Sequence, residues 1–550
     1  MSLIKKIDYV EPDLEKWPIV KLTHQRNEFI REVAEDSISR LAKTGSSHPI
    51  IEEAVYLEKI RLTEKPWKVD RADEPVFWAN IRKRLIKNAS SKEKSAELDK
   101  EILELIVSRY SNEIAGKFNI PTFNFARKFV PIIFSRFLNA ASNRNWKRIF
   151  SQQHRLYDRL QTFGDSEQIR KLSKIGTVVL VPTHFSNMDP FLIGYAIDAL
   201  GLQPFLYGAG FNLYNNPLEA FFINRLGAYK VDRRKKNQIY LETLKSYSRQ
   251  AICHGCHSLF FPGGTRSRSG GLESKLKLGL LGTAIDAQLL NFMKDGKDAK
   301  KIFVLPLVIS YHFVLEASSL IEEQLKSSGR EKYYIENDQF TSVYKITRFL
   351  WDFFARGSEI ALSLGKPMDL FGNYVDEEGR SFTKSGTEID VRDYFITNGE
   401  LKAVPQRDAE YTRILGQKII QSYFKWNIVF SSHLIAYTAF KLLKKNSPKL
   451  DLYGLLRIPE DFRVIPYHQF YSAIQQIMET LLKMEGDGRL ILAPHLKKPI
   501  EEIIRHGLKN LGLYHTQKVL STDKNGNIYC NDMKLLLFYS NRMEGYNLTV

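Results

Sequence analysis

From about residue 175 to 370, short apolar runs of strand length alternate with helical segments. Nothing else in the 550-residue chain constrains the fold as strongly. The candidate strands are 177 to 182, 204 to 208, 228 to 232, 257 to 262, 302 to 311 and 359 to 364. The run from Thr177 to Val181 is apolar at consecutive positions, as strands are when both faces of a parallel sheet are covered. The pattern predicts an α/β fold with a mostly parallel central sheet and flanking helices.

Composition changes on either side of this block. Residues 1–115 read as charged and helical, with "SSKEKSAELDKEILELIVSRY" giving serines, then acids, then apolar residues at helical spacing. Residues 116–372 make the expected catalytic domain, and 373–408 read as a linker or long loop. Residues 409–550 read as a mostly helical C-terminal domain, in which "PIEEIIRHGLKNLG" predicts an amphipathic helix and "DKNGN" a hairpin turn. The basic, aromatic stretch "FNFARKFVPIIFSRFLNAASNRNWKRIF" fits either a membrane-surface helix or a core helix with snorkelling Lys and Arg. The stretch from Trp426, "WNIVFSSHLIAYTAFKLL", carries His433 and Lys441 and is expected to be a buried helix, not a span.

The 80 Lys and Arg against 62 Asp and Glu leave a net charge of +18, which favours an anionic partner. Three cysteines imply no disulfide framework and fit a reducing compartment. The N-terminus lacks an apolar signal region, so the expected location is cytoplasmic. "CHGCH", Cys253 to His257, has the form of a haem attachment or zinc motif. It runs directly into a strand, however, and neither group is expected there.

Three stretches carry chemistry-bearing residues. In "VVLVPTHFSNMDPF", His184 and Asp189 follow a strand with four residues between them. Asp189 before Pro190 also reads as a plain helix cap, with His184 a loop residue. In "LFFPGGTRSRSGGLESKLKLG", Gly263 and Gly264 permit a tight turn whose N–H groups can face an anion. Arg266 and Arg268 are suited to bidentate phosphate contacts, Lys275 and Lys277 add cationic reach, and Gly279 would allow a second close backbone approach. Each feature alone fits a solvated turn, but together they lie where α/β sheets bind ligands, past a strand's C-terminal end. Between these stretches, Arg225 and the Arg233-Arg234 pair flank a strand running from Gly227 to Val231.

In this order, these residues resemble the glycerolipid acyltransferase superfamily, most closely its bacterial glycerol-3-phosphate and dihydroxyacetone-phosphate acyltransferase branch. Four ordered blocks carry the resemblance: His184 with Asp189, Gly227 through Arg233, "FPGGTRSRSG" from Phe261 with Lys277 and Gly279, and "FVLPLVISY" centred on Pro306. "GLQPFLYGAGFNL", "VLEASSLIEE", "LSLGKPMDL" and "LLLFYSNRMEGY" extend it over roughly residues 170 to 550. The resemblance implies that His184 and Asp189 are catalytic. It implies that Arg233, Gly264, Thr265, Arg266, Ser267, Arg268, Lys277 and Pro306 bind substrate. In one place the chain departs from the pattern. Gly263 stands where the family usually has a glutamate that helps hold the acceptor's glycerol portion, which bears on acceptor identity.

The chemistry of the residues agrees. Acyl transfer from a thioester to an alcohol needs a base near the hydroxyl, and a carboxylate on the other ring nitrogen of a histidine fixes the tautomer. The expected reaction moves a fatty acyl group from acyl-coenzyme A or acyl carrier protein, as co-substrate, to glycerol 3-phosphate in phospholipid synthesis. No resident cofactor or metal is expected, nor a nucleic-acid partner, and the enzyme is expected to be peripheral to an anionic inner-membrane surface. The alternatives are acylation of lysophosphatidate, or a non-catalytic membrane- or nucleic-acid-binding protein.

Overall fold

The computed structural model describes residues 2–3, 7–43, 45–89, 95–128, 160–328, 359–513, 515 and 517–549. Its central sheet contains β1 (Ser2–Leu3), β2 (Leu160–Phe163), β3 (Thr177–Pro182), β4 (Leu206–Gly210), β5 (Ala228–Val231), β6 (Ser258–Leu259), β7 (Ile302–Tyr311) and β8 (Ile360–Leu364). Their order across the sheet is β1-β2-β8-β7-β3-β6-β4-β5. The run β7-β3-β6-β4-β5 is parallel throughout, and β2 is parallel to β8. Only β1 against β2 and β7 against β8 are antiparallel. The expected α/β architecture is present, and five of the six expected strands lie within two residues of their expected ends. The sixth, 257 to 262, shortens to β6 because the chain leaves the sheet ahead of the turn at Pro262 and Gly263. The edge strand β1 and its neighbour β2 add to the expected strands.

The period-2 geometry of a strand explains why consecutive residues of β3 are all buried. Val178 and Leu180 enter one core, with helix Asp189–Ala199, helix Ala317–Ser328 and the C-terminal helices. Val179 and Val181 enter another, with helices Gly279–Asp295 and Pro405–Lys425. Residues 373–408 form short antiparallel pairs and bury Val375, Val391 and Phe395.

The N-terminal helices Arg26–Ala42, Ser47–Glu64, Glu74–Ala89 and Ser95–Ile114 share a core with Tyr229 of β5 and with helix Gln238–Cys253. In the C-terminal region, helix Ser431–Asn446 is buried from Ser431 through Phe440. Helix Ile500–Asn510 packs on it so closely that a Cβ at Gly507 would lie 2.8 Å from Ile435. The expected hairpin is strand Leu520–Thr522 paired with Ile528–Cys530. No helix among the described residues is long and apolar enough to cross a membrane. Most of the basic aromatic segment, from residue 129 onward, lies outside the described residues.

Candidate active site

The parallel strands β3, β5 and β6 end on one edge of the sheet, which brings the loops after them together. His184 lies two residues past β3 with 14% of its side chain exposed, and Asp189 is fully buried. His184 Nδ1 lies 2.8 Å from Asp189 Oδ2. The same oxygen accepts from the amides of Phe185 (2.7 Å) and Ser186 (3.0 Å), while Oδ1 accepts from the Tyr311 hydroxyl. With two backbone amides and a hydroxyl already donating to this carboxylate, His184 Nδ1 is the donor in the pair, which leaves Nε2 as the ring's acceptor. Nε2 has no partner among the described residues. Asp189 does not cap its helix with its side chain. The N-cap is Met188 and makes no side-chain cap bond, whereas the Asp189 carboxylate turns back onto the loop.

The loop after β6 closes over this pair. Ser267 N donates to His184 O at 2.7 Å, and Phe261 stacks on the imidazole with ring centroids 4.0 Å apart. Gly264 has φ +78, and Lys277 crosses so near that an added Cβ would meet its side chain at 2.5 to 2.8 Å. Thr265 lies half-buried in the same turn. The Ser267 hydroxyl donates to Gly271 O at 2.7 Å and so braces the loop.

Four cations meet here. Arg266 pairs with Glu316 at 3.4 Å and Arg268 with Glu323 at 3.1 Å. Arg233 and Lys277 have no acidic partner among the described residues. Desolvation pushes the Arg233 guanidinium below its ordinary value even though the residue as a whole is exposed, and repulsion from Arg266 and Arg268 adds to the effect. Lys277 is lowered by burial and by repulsion from Arg233 and Arg268. Cations that depress one another in this way favour a bound anion.

Comparison with known proteins agrees with this geometry. The acyltransferase family profile matches residues 162–310, which span β2 through nearly all of β7. Glycerol-3-phosphate acyltransferase from Aeromonas hydrophila is 32% identical over 226 residues, covering 41% of this chain and 26% of that protein. The enzyme of the same name from Pseudomonas aeruginosa strain PAO1 is 27% identical over 292 residues, 53% of this chain and 31% of the relative. That from Pseudomonas fluorescens Pf-5 is 24% identical over 390 residues, 71% and 40%. Residues 162–310 thus match the acyltransferase family, and over part of its length the chain is similar to glycerol-3-phosphate acyltransferases. The matches span about a third of the length of these relatives.

Several parts of this site were not apparent from sequence. Glu316, buried past β7, accepts from Ser186 Oγ at 3.0 Å and from Asn187 N at 2.9 Å, and pairs with Arg266. It thereby ties the histidine loop to the arginine loop. Burial raises its carboxyl, an effect Arg266 partly offsets. Arg542, from the C-terminal region, lies fully buried beneath the loop with its guanidinium 4.2 Å from the Phe185 ring centroid, and donates to Ile309 O at 2.7 Å. Burial pushes it down to about 10. Glu273 Oε1 accepts from His184 N at 2.9 Å.

Other expected residues are placed differently. Pro306 is buried inside β7 opposite Val181. Its missing N–H costs nothing there, because pairing with β8 starts one residue later at Leu307, and Pro306 O still accepts from Gly365 N at 2.8 Å. Arg234 turns away from Arg233 toward the N-terminal helices, where it binds Asp70 and Asp232 and stacks over Trp67 at 3.7 Å. Gly279 begins helix Gly279–Asp295, and an added Cβ would meet nothing within 4 Å.

"CHGCH" gathers no metal site among the described residues. Burial pushes the Cys253 thiol up to about 12, and His257 Nδ1 is used by Val178 N at 3.2 Å. One other group could hold a metal ion: His312, His495 and His506, whose ligand atoms lie within 4.8 Å of one another. Ser431 engages two of these rings, His495 through its amide and His506 through its hydroxyl.

Proposed function

We propose that this chain transfers a fatty acyl group from acyl-coenzyme A or an acylated carrier protein to glycerol 3-phosphate. The observation that carries this reading is a histidine whose Nδ1 is fixed by a buried carboxylate, beside two cations, Arg233 and Lys277, that lack acidic partners among the described residues. The relatives' names agree with it. His184 Nε2 takes the proton from the acceptor hydroxyl as its oxygen attacks the thioester carbon. The tetrahedral intermediate then collapses, the C–S bond breaks, and the imidazolium returns its proton to the departing thiolate. Asp189 stabilises the imidazolium between these two transfers. Arg233, Arg266, Arg268 and Lys277 hold the acceptor phosphate, and the donor is a co-substrate, so no resident cofactor is invoked.

The site of action would be the cytoplasmic face of the inner membrane. Net charge supports contact with anionic lipid, as do exposed Phe125 and Phe221 beside Arg225, whose guanidinium lies 4.0 Å over the Phe221 ring. The test is transfer from a labelled long-chain acyl thioester by wild type and His184→Ala, with glycerol 3-phosphate and lysophosphatidate offered in parallel. Product on glycerol 3-phosphate that is lost in the variant is the expected result. Product only on lysophosphatidate would move the chain to the second acylation step, and transfer unchanged by the substitution would remove His184 as base.

A further inference from the structure

The loop after β6 places a carboxylate in the space that Gly263 leaves open. A Cβ built on Gly263 would lie 3.1 Å from Glu273 Cγ and 3.4 Å from its Oε1. The Glu273 side chain therefore packs directly against the point where a side chain at 263 would begin. Oε1 is anchored by the amide of His184 itself, at 2.9 Å. Oε2 is buried and has no hydrogen-bond partner among the described residues. A buried carboxylate oxygen without a donor is costly unless a ligand supplies one.

We propose that Glu273 binds the acceptor: Oε2 accepts a hydrogen bond from the hydroxyl next to the one that is acylated. The inference rests on the acyl-transfer reading and narrows its substrate class to a small phosphomonoester with two hydroxyls. One hydroxyl faces His184 Nε2, the second faces Glu273, and the phosphate lies among Arg233, Arg266, Arg268 and Lys277. The surrounding cations argue against an ammonium as the donor to Oε2, since it would sit in a positive field. Burial pushes the Glu273 carboxyl up to about 7, an effect the His184 amide, its own amide and Arg542 partly offset. A group so poised is stabilised in its ionised form by an incoming hydroxyl donor.

Such a ligand discriminates by the hydroxyl it requires, because a substrate lacking that group leaves the carboxylate unpaired. The experiment compares glycerol 3-phosphate with 3-hydroxypropyl phosphate, which keeps the phosphate and the reacting hydroxyl but has no second one. Wild type, Glu273→Ala, Glu273→Gln and the double variant Gly263→Glu/Glu273→Ala are assayed with the same acyl thioester.

Wild type is expected to prefer glycerol 3-phosphate by about tenfold or more in kcat/KM. In Glu273→Ala that preference collapses, mainly through a higher KM for glycerol 3-phosphate. The double variant, which returns a carboxylate from the neighbouring position, restores part of it. Glu273→Gln keeps an acceptor for the His184 amide and carries the test if the alanine variant does not fold. Equal losses on both acceptors, with the preference intact, would make Glu273 only a brace for the histidine loop and overturn the proposal. No product from wild type with either acceptor would instead overturn the acyl-transfer reading on which it rests.

Discussion

Asp189 accepts from His184 Nδ1, from two backbone amides and from the Tyr311 hydroxyl, so both of its oxygens are committed. An asparagine here keeps one acceptor oxygen and adds an NH2 that faces donors already in place. His184 then loses control of its tautomer. For Asp189→Asn we expect kcat to fall by roughly 10³- to 10⁴-fold with KM little changed. Tyr311→Phe removes one donor and leaves part of the carboxylate unsatisfied, which costs about 1–3 kcal/mol of stability but far less of kcat. Initial-rate kinetics and denaturant titration of both variants test this contrast, and similar kcat losses in the two would mean that Asp189 does not act through the histidine. The histidine and aspartate were legible because they are neighbours in sequence. Tyr311, 122 residues away, is brought in only by the register of β7 on β3, where Val181 faces Pro306 and Thr183 N bonds Leu307 O at 2.9 Å.

The arginine loop between β6 and helix Gly279–Asp295 separates two glycines that looked alike in sequence. Gly264 needs its positive φ, and a side chain there would strike Lys277, so Gly264→Ala both strains the backbone and displaces a cation from the cleft. We expect it to cost about 1–3 kcal/mol of stability and to raise KM for the phosphorylated acceptor roughly tenfold. Gly279→Ala meets open space, lies in a helix and is expected to be neutral or to stabilise by up to about 1 kcal/mol. Thermal unfolding and KM of the two variants check this, and a raised KM in Gly279→Ala would mean that a substrate, not the protein, needs the glycine.

The loop's chemistry was readable because its Gly, Arg and Lys are local and ordered. Its bracing was not. Gly270 lies against Phe538 O, where a Cβ would approach to 2.2 Å, and Asn541 Nδ2 donates to Ser269 O at 2.9 Å. Both contacts come from some 270 residues away, so no local pattern could announce them.

Across the whole molecule, the described N-terminal helices contribute none of the residues grouped around His184, yet their charges are fixed to the central sheet. Lys235, four residues past β5, is buried with its Nζ 2.6 Å from Glu113 and 3.4 Å from Glu74. Arg61 binds Glu58, Glu74 and Asp70, and Tyr110 donates to Glu58 at 3.0 Å. Burial alone would push Lys235 down, but Glu113, Glu58 and Glu74 more than offset it, so the ammonium stays charged. The sequence showed only a charged, helical region here, because partners 122 and 161 residues apart leave no periodicity to read.

This network also determines what a break would cost. Lys235→Met removes one cation and leaves Glu113 as a buried, uncompensated charge, for which about 3–5 kcal/mol is expected. Adding Glu113→Gln removes that charge too, so the double variant should recover much of the loss although it has one ion pair fewer. Denaturant unfolding of the two single variants and the double closes the cycle. If the N-terminal helices were only loosely attached, Lys235→Met would be nearly neutral and the two substitutions would add. Strong coupling, with the proposed His184-dependent transfer falling as the fold loosens, would make these helices a structural part of the central sheet, positioning Arg233 through the residues that follow β5.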